Sequence, residues 1–191
     1  MMALFTPPPA LALIQADTAA LGFPMASDPE VGALLRTLAA SKPGGVVLEL
    51  GTGTGLATAW LLAGMDAAAR LITVDNDRAV VAVARRHLAN DPRARFTIAD
   101  AAVLFDALAP ASVDLIFADT WAGKYTHLDA ALRLLKPGGL YVIDDMLPQP
   151  NWPEGHAVKV AQLIAELAVR TDLVVAQLAW ASGVIVATKR S

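Results

Sequence analysis

Apolar positions along this chain fall into short runs of β-branched and aliphatic residues, separated by stretches whose apolar residues recur at helical spacing. The runs predict strands at Val46 to Leu50, Leu71 to Asp75, Arg95 to Ile98, Val113 to Ala118, Leu140 to Asp144, Leu173 to Ala179 and Val184 to Thr188. Val80, Val83, Ala84 and His87 exemplify the helical spacing between them. Strands alternating with helices imply parallel strands joined by crossovers, so the expected fold is α/β with helices on both faces of a mostly parallel, seven-stranded sheet. Only Trp180 to Gly183 separates the last two strands, too little for a crossover helix, which predicts an antiparallel hairpin at the sheet's end.

Ahead of the sheet, Leu11, Ile14, Thr18 and Leu21 mark one helix stopped by Gly22. Asp28-Pro29 starts another, with Val31, Leu34, Leu35 and Leu38 as its buried stripe. Lys42-Pro43-Gly44-Gly45 then turns the chain into the sheet. The expected organisation is a helical cap over residues 1–42 and a ligand-binding unit over 43–191, within one compact domain.

Composition narrows the function. With 191 residues, 55% of them hydrophobic, the chain can bury a core without crosslinks. The absence of cysteine removes disulfides, thiolate metal sites and a cysteine nucleophile together. A net charge of -3 with scattered Lys and Arg gives no footprint for nucleic acid, so a small molecule is the expected partner. Met1 to Pro9 has no basic segment and three consecutive prolines, unlike an export signal, and no apolar run reaches membrane-spanning length. A cytoplasmic protein is the expectation.

The most informative segment is Val46-Val47-Leu48-Glu49-Leu50-Gly51-Thr52-Gly53-Thr54-Gly55, a buried strand running into a glycine turn and then a helix. Glycines permit positive φ and let a ligand approach the backbone, while the helix N-terminus suits an anionic carboxylate. The spacing is GxGxG rather than the dinucleotide GxGxxG, and Glu49 precedes it. Leu71-Ile72-Thr73-Val74-Asp75 places a carboxylate about 20 to 25 residues beyond the glycines, where a ribose lies in such folds. Asp75 is therefore the candidate for the ribose, with Asn76 beside it, and Asp77 the candidate helix cap.

This combination resembles motif I of the class I S-adenosylmethionine-dependent methyltransferases, and the resemblance implies a Rossmann-like fold and that cofactor. It implies that Glu49 orients the loop and the methionyl part of the cofactor, with Gly51, Thr52, Gly53 and Gly55 beneath it. Asp100 and Ala101, after Phe96-Thr97-Ile98-Ala99, fall where the family faces the adenine; a helix cap is the plainer reading of Asp100.

Two further strands end in carboxylates, Asp119 after one and Asp144-Asp145 after the other. Three converging carboxylates repel unless a cation joins them, and oxygen ligands favour Mg²⁺, Mn²⁺ or Ca²⁺. The pattern resembles the metal-dependent O-methyltransferases of the catechol and caffeoyl-coenzyme A group over about residues 25 to 190. That resemblance implies Asp119, Asp144 and Asp145 as metal ligands, although the third ligand there is commonly Asn. It sets Trp121 near the adenine and matches Tyr125. The lysine that follows the tryptophan in the catechol enzymes is Ala122 here, which leaves Lys124, two places on, as the candidate base beside Asp119. Relatives of the group are often dimers, so a homodimer is an expectation.

Met25 and Trp152 are the candidate substrate contacts, the first before the capped helix and the second in a proline-rich loop. The three histidines, His87, His127 and His156, are expected on helices or facing solvent. The leading expectation is metal-assisted O-methylation of a small-molecule hydroxyl. Its alternatives are a metal-independent methyltransferase whose aspartates position an amine, hydroxyl or carboxylate, and a non-catalytic S-adenosylmethionine-binding scaffold. A dehydrogenase is more remote. The Asn-Pro-Pro-Tyr motif of base and amide N-methyltransferases is absent.

Overall fold

The computed structural model describes residues 6–191, so the sequence reading of Met1 to Phe5 lies outside the described residues. The chain builds β1 (Val46–Leu50), β2 (Arg70–Asp75), β3 (Ala94–Ile98), β4 (Val113–Ala118), β5 (Leu135–Ile143), β6 (Leu173–Leu178) and β7 (Val184–Lys189). They form one sheet in the order β3-β2-β1-β4-β5-β7-β6. The first five run parallel; β7 pairs antiparallel with both β5 and β6. The alternating strand and helix segments thus give the expected α/β sheet with its antiparallel C-terminal hairpin.

Several strand boundaries shift by one residue, and one shifts further. β5 begins at Leu135 instead of Leu140, because Lys136-Pro137-Gly138-Gly139 enters the sheet through a register shift opposite Val113 and Leu115. Proline and glycine, read as breakers, are accommodated here at an irregularity.

Helices cover both faces, each over its own apolar cluster. One cluster gathers Leu50, Phe105, Ile116, Tyr141, Leu163 and Ile185; the other gathers Ile14, Leu35, Val47, Trp60, Leu115 and Phe117. The N-terminal helices α1 (Leu11–Leu21) and α2 (Pro29–Ala40) contribute Leu11, Ile14, Val31 and Leu35 to the second cluster, which makes them part of the core. Gly22, at φ 68°, ends α1 as expected, although Leu21 is exposed. α2 lies close against α3 (Leu56–Gly64): a Cβ at Gly64 would fall 2.0 Å from the carbonyl oxygen of Arg36.

The remaining helices are α4 (Arg78–Leu88), α5 (Ala102–Ala107), α6 (Leu128–Leu134) and α7 (His156–Ala168). Because β1 lies between β2 and β4, the chain reverses direction across the sheet at that point, and a crevice opens at the carboxyl ends of the two central strands. No helix among the described residues is long and apolar enough to cross a membrane.

Candidate active site

The turn after β1 is held by its own backbone. The N–H groups of Gly51 and Thr52 both donate to the carbonyl of Val74 on β2, at 2.9 and 3.1 Å. Gly51 has φ 102°, and a Cβ there would fall 2.8 Å from the carbonyl oxygen of Asp119. Only glycine allows the turn to lie this close to the end of β4. Asp75 closes the other side: Oδ2 accepts from the N–H of Gly53 at 2.9 Å, and Oδ1 accepts from the N–H of Asp77 at 3.0 Å. Asp77 itself caps α4, accepting from Ala79 at 2.8 Å and from Val80 at 3.4 Å.

Glu49 stands beneath this turn, fully buried. Its Oε2 accepts from the hydroxyls of Thr58, at 2.6 Å, and Thr73, at 2.5 Å, and Thr73 is in turn linked to Thr52 at 2.6 Å. Oε1 has no partner, and burial pushes the carboxyl up to about 7. Glu49 thus acts on the loop through its threonine partners, which brace the turn from below.

A cavity of about 470 Å³ runs along the crevice. Of the residues singled out in the sequence, Gly51, Thr52, Gly53, Asp75, Asn76, Asp119, Trp121, Lys124, Asp144, Asp145, Met25 and Trp152 line it. Glu49, Gly55, Asp100 and Ala101 are not on its wall. Gly55 is turned toward α4, where a Cβ would meet that of Ala84 at 2.8 Å. Asp100 accepts from the N–H of Ala102 at 2.8 Å, the helix-capping role, and Ala101 belongs to the core. For these two residues the local cap and the packing take precedence over the adenine contact expected from the resemblance.

At the far end of the cavity stand the three aspartates. Asp144 is nearly buried, and its Oδ1 accepts from the Ser182 hydroxyl and from the N–H of Asp145, at 2.7 Å for the latter. Ser182 reaches it because the hairpin turn is tied to the segment after β5, Met146 N–H donating to Gly183 and Leu147 N–H to Ser182. Asp145, at φ 62°, has both carboxylate oxygens engaged: Oδ1 accepts from the Trp152 indole N–H at 2.6 Å, and Oδ2 lies 3.4 Å from His156 Nε2. Asp119 meets Ser27 of the segment between α1 and α2 at 3.5 Å.

Among the described residues no cluster of three acidic or histidine side chains is shaped to hold a metal ion. Asp145 is committed to Trp152 and His156, Asp144 to Ser182, and a basic side chain of the chain's own, Lys124, interacts electrostatically with all three carboxylates. The side chains present do not fit the divalent ion expected from the sequence.

Lys124 is 4% exposed and is therefore a buried part of the site. Burial lowers its pKa, while Asp119, Asp145 and Asp144 oppose that shift. Burial raises that of Asp119 well above the ordinary carboxylate range, and Asp144 adds to the rise. The backbone places Lys124 through Gly123, at φ 89°, whose carbonyl accepts from the buried Tyr141 hydroxyl.

His156, expected to face solvent, is 6% exposed and forms part of the wall. It opens α7, stacks on Trp152 with ring centroids 4.5 Å apart, and joins the Tyr125 hydroxyl at 2.9 Å through Nε2. Trp121 meets Tyr125 and His156 edge to face, and Lys159 lies 5.0 Å from the Trp121 ring. The signal was present in the sequence, since His156, Val160, Leu163 and Leu167 follow one helical stripe, and all four are buried. Of the other two histidines, His87 stands on α4 and pairs with Asp17 at 2.8 Å, and His127 is the N-cap residue at the start of α6.

A model of the methyltransferase domain family matches residues 48–146, just over half of the chain, including the glycine turn and the carboxylate cluster. The chain belongs to the methyltransferase domain family. It is similar to a Mycobacterium tuberculosis protein named as a probable O-methyltransferase, with 36% identity over 120 residues, 60% of this chain and 54% of that protein. It is also 37% identical over 116 residues to the trans-aconitate 2-methyltransferase of Delftia acidovorans, covering 59% of this chain and 41% of that protein. The chain thus spans about half or less of the length of these relatives. In fold it superposes on the O-methyltransferase TomG of Streptomyces achromogenes, solved in complex with S-adenosylmethionine, with a TM-score of 0.83 and 24% identity. That likeness covers 98% of this chain and 92% of TomG.

Proposed function

We propose that this methyltransferase family member transfers a methyl group from S-adenosylmethionine to a hydroxyl of a small, planar acceptor. The observation that carries the reading is the continuity of the cavity. A glycine turn braced by Asp75 at one end leads directly to a lysine among carboxylates and aromatic rings at the other.

The turn fits the cofactor chemically. Gly51 and Gly53 offer a wall without Cβ atoms, and Asp75, which lines the cavity, is placed for a ribose diol. Asn76 and Thr52 add polar groups on the same stretch. When bound, the cofactor supplies an activated methyl on a sulfonium; what the chain adds is position and control of a proton.

The transfer forms a bond from the acceptor oxygen to the methyl carbon as the carbon–sulfur bond breaks, with its electron pair passing to sulfur. The hydroxyl proton goes to the Lys124 amine, a form that burial favours, and leaves to solvent with the products. Trp121, Tyr125, Trp152 and His156 give this end flat surfaces suited to an aromatic ring. The carboxylate wall opposes a polyanionic acceptor such as the one in the name of the Delftia relative.

Calorimetry with S-adenosylmethionine tests the first half of the reading, and Asp75→Ala is expected to weaken uptake about 10- to 100-fold, the range for a hydrogen bond to a charged group. A panel of phenols, catechols, amines and carboxylic acids tests the second half. Methylation confined to the amines or acids would overturn the hydroxyl assignment.

A further inference from the structure

We infer that the site works without a divalent ion, with Lys124 supplying the positive charge between the carboxylates and the acceptor oxygen. The inference deepens the proposed function and rests on it for the acceptor, but its electrostatic part stands on this chain's own side chains.

Three carboxylates brought to one end of a cavity need a positive charge near them. A metal ion requires their oxygens to converge on one point. Here they form no such group, and they are held by other partners: Asp145 is tied to the Trp152 indole at 2.6 Å, and Asp144 to the Ser182 hydroxyl and a backbone N–H. Freeing Asp145 would leave the part-buried indole N–H without its acceptor and unmake the stack of Trp152 on His156. Lys124, buried and facing all three acids, is already in the position that balances them.

Its Nζ lies 5.0 Å from the Tyr125 ring and makes no direct ion pair with the aspartates, so it stays available to a ligand in the cavity. Once Lys124 has taken the hydroxyl proton it is a cation beside the new oxyanion. Proton transfer therefore creates in place the charge that a bound metal would bring. The proton lost from oxygen is the one gained by nitrogen, and no co-reactant is needed.

The test uses the full chain and Mn²⁺ alone as the probe, followed by electron paramagnetic resonance. The free Mn²⁺ signal is expected to persist when wild-type protein is added, and methyl transfer is expected to be unchanged in excess chelator. Lys124→Met is expected to lose transfer by about 100-fold or more, the usual range for a proton-handling side chain, and still to leave Mn²⁺ free, because the carboxylates keep their own partners. Lys124→Arg, which keeps the charge but cannot act as the base, is expected to lose transfer without gaining Mn²⁺.

Stoichiometric Mn²⁺ on the wild type that Asp119→Asn removes would overturn the inference, as would loss of turnover on chelation. So would a folded Lys124→Met protein that keeps wild-type transfer. The wild-type titration decides by itself if that variant does not fold. Calorimetric uptake of S-adenosylmethionine on the same samples separates this failure from failure of the proposed function.

Discussion

Glu49 shows what one side chain can be asked to do beneath a binding turn. Thr58 and Thr73 donate to one of its oxygens, nothing donates to the other, and its pKa rises from 4.5 to about 7. The folded state therefore holds this proton more tightly than the unfolded chain. The stability so conferred is complete below pH 4.5 and is lost as pH rises through about 7. Between pH 5 and 8 the melting temperature of the wild type is expected to fall more than that of Glu49→Gln. The difference corresponds to about 3 kcal/mol at the upper end, at about 1.4 kcal/mol per pH unit. Parallel curves for the two proteins in a thermal melt would show that Glu49 does not titrate in this range.

Residues like this mark where sequence reading reaches and where it stops. The strand, the glycines and Asp75 were legible because a turn of that kind leaves a spacing in the chain. Whether Glu49 faces the ligand or the core depends on Thr58 and Thr73, nine and 24 residues away, which no local pattern connects. The same holds for Asp145, whose partners Trp152 and His156 lie in the loop before α7 and at its first residue. His156 was the exception, since its place on the buried stripe of α7 was readable from spacing alone.

At the scale of elements, the contact between α2 and α3 sets how close the N-terminal helices come to the sheet. Gly32 and Gly64 make that approach possible: an added Cβ would fall 2.2 Å from the Trp60 ring at the first and 2.0 Å from the Arg36 carbonyl oxygen at the second. The obstacle at Gly64 is backbone, so it cannot be relieved by a rotamer change. Gly138 is a useful contrast, since its φ of 75° strains an alanine while the space around it is open. Gly64→Ala is expected to cost about 1–3 kcal/mol or more by overpacking, and Gly138→Ala about 1–2 kcal/mol by backbone strain. Urea denaturation ranks them, and equal losses would show that α2 can shift away from α3 at little cost. The pattern of apolar positions gave the helices but not this distance, because it depends on which residues lack a side chain at the crossing.

Across the whole molecule, both ends of the chain meet over the cavity. The segment between α1 and α2 brings Phe23 to within 3.6 Å of where a Cβ of Gly53 would lie, and Ser27 to Asp119. The loop after β5 joins that segment through the Asn151 amide, which donates to the Pro24 carbonyl at 3.3 Å, and the β6–β7 turn supplies Ser182. A ligand lying between the glycine turn and Lys124 contacts both segments at once and gains from ordering them together. Hydrogen exchange is therefore expected to slow in residues 22–28 and 146–156 when S-adenosylmethionine binds, as well as in the turn itself. Asn151→Ala removes the bridge between the two segments without touching the glycines or Asp75. It should lessen protection of residues 22–28 while leaving that of the turn unchanged. Protection confined to the turn in the wild type would mean that the cofactor end closes independently, and that the two segments respond only to the acceptor.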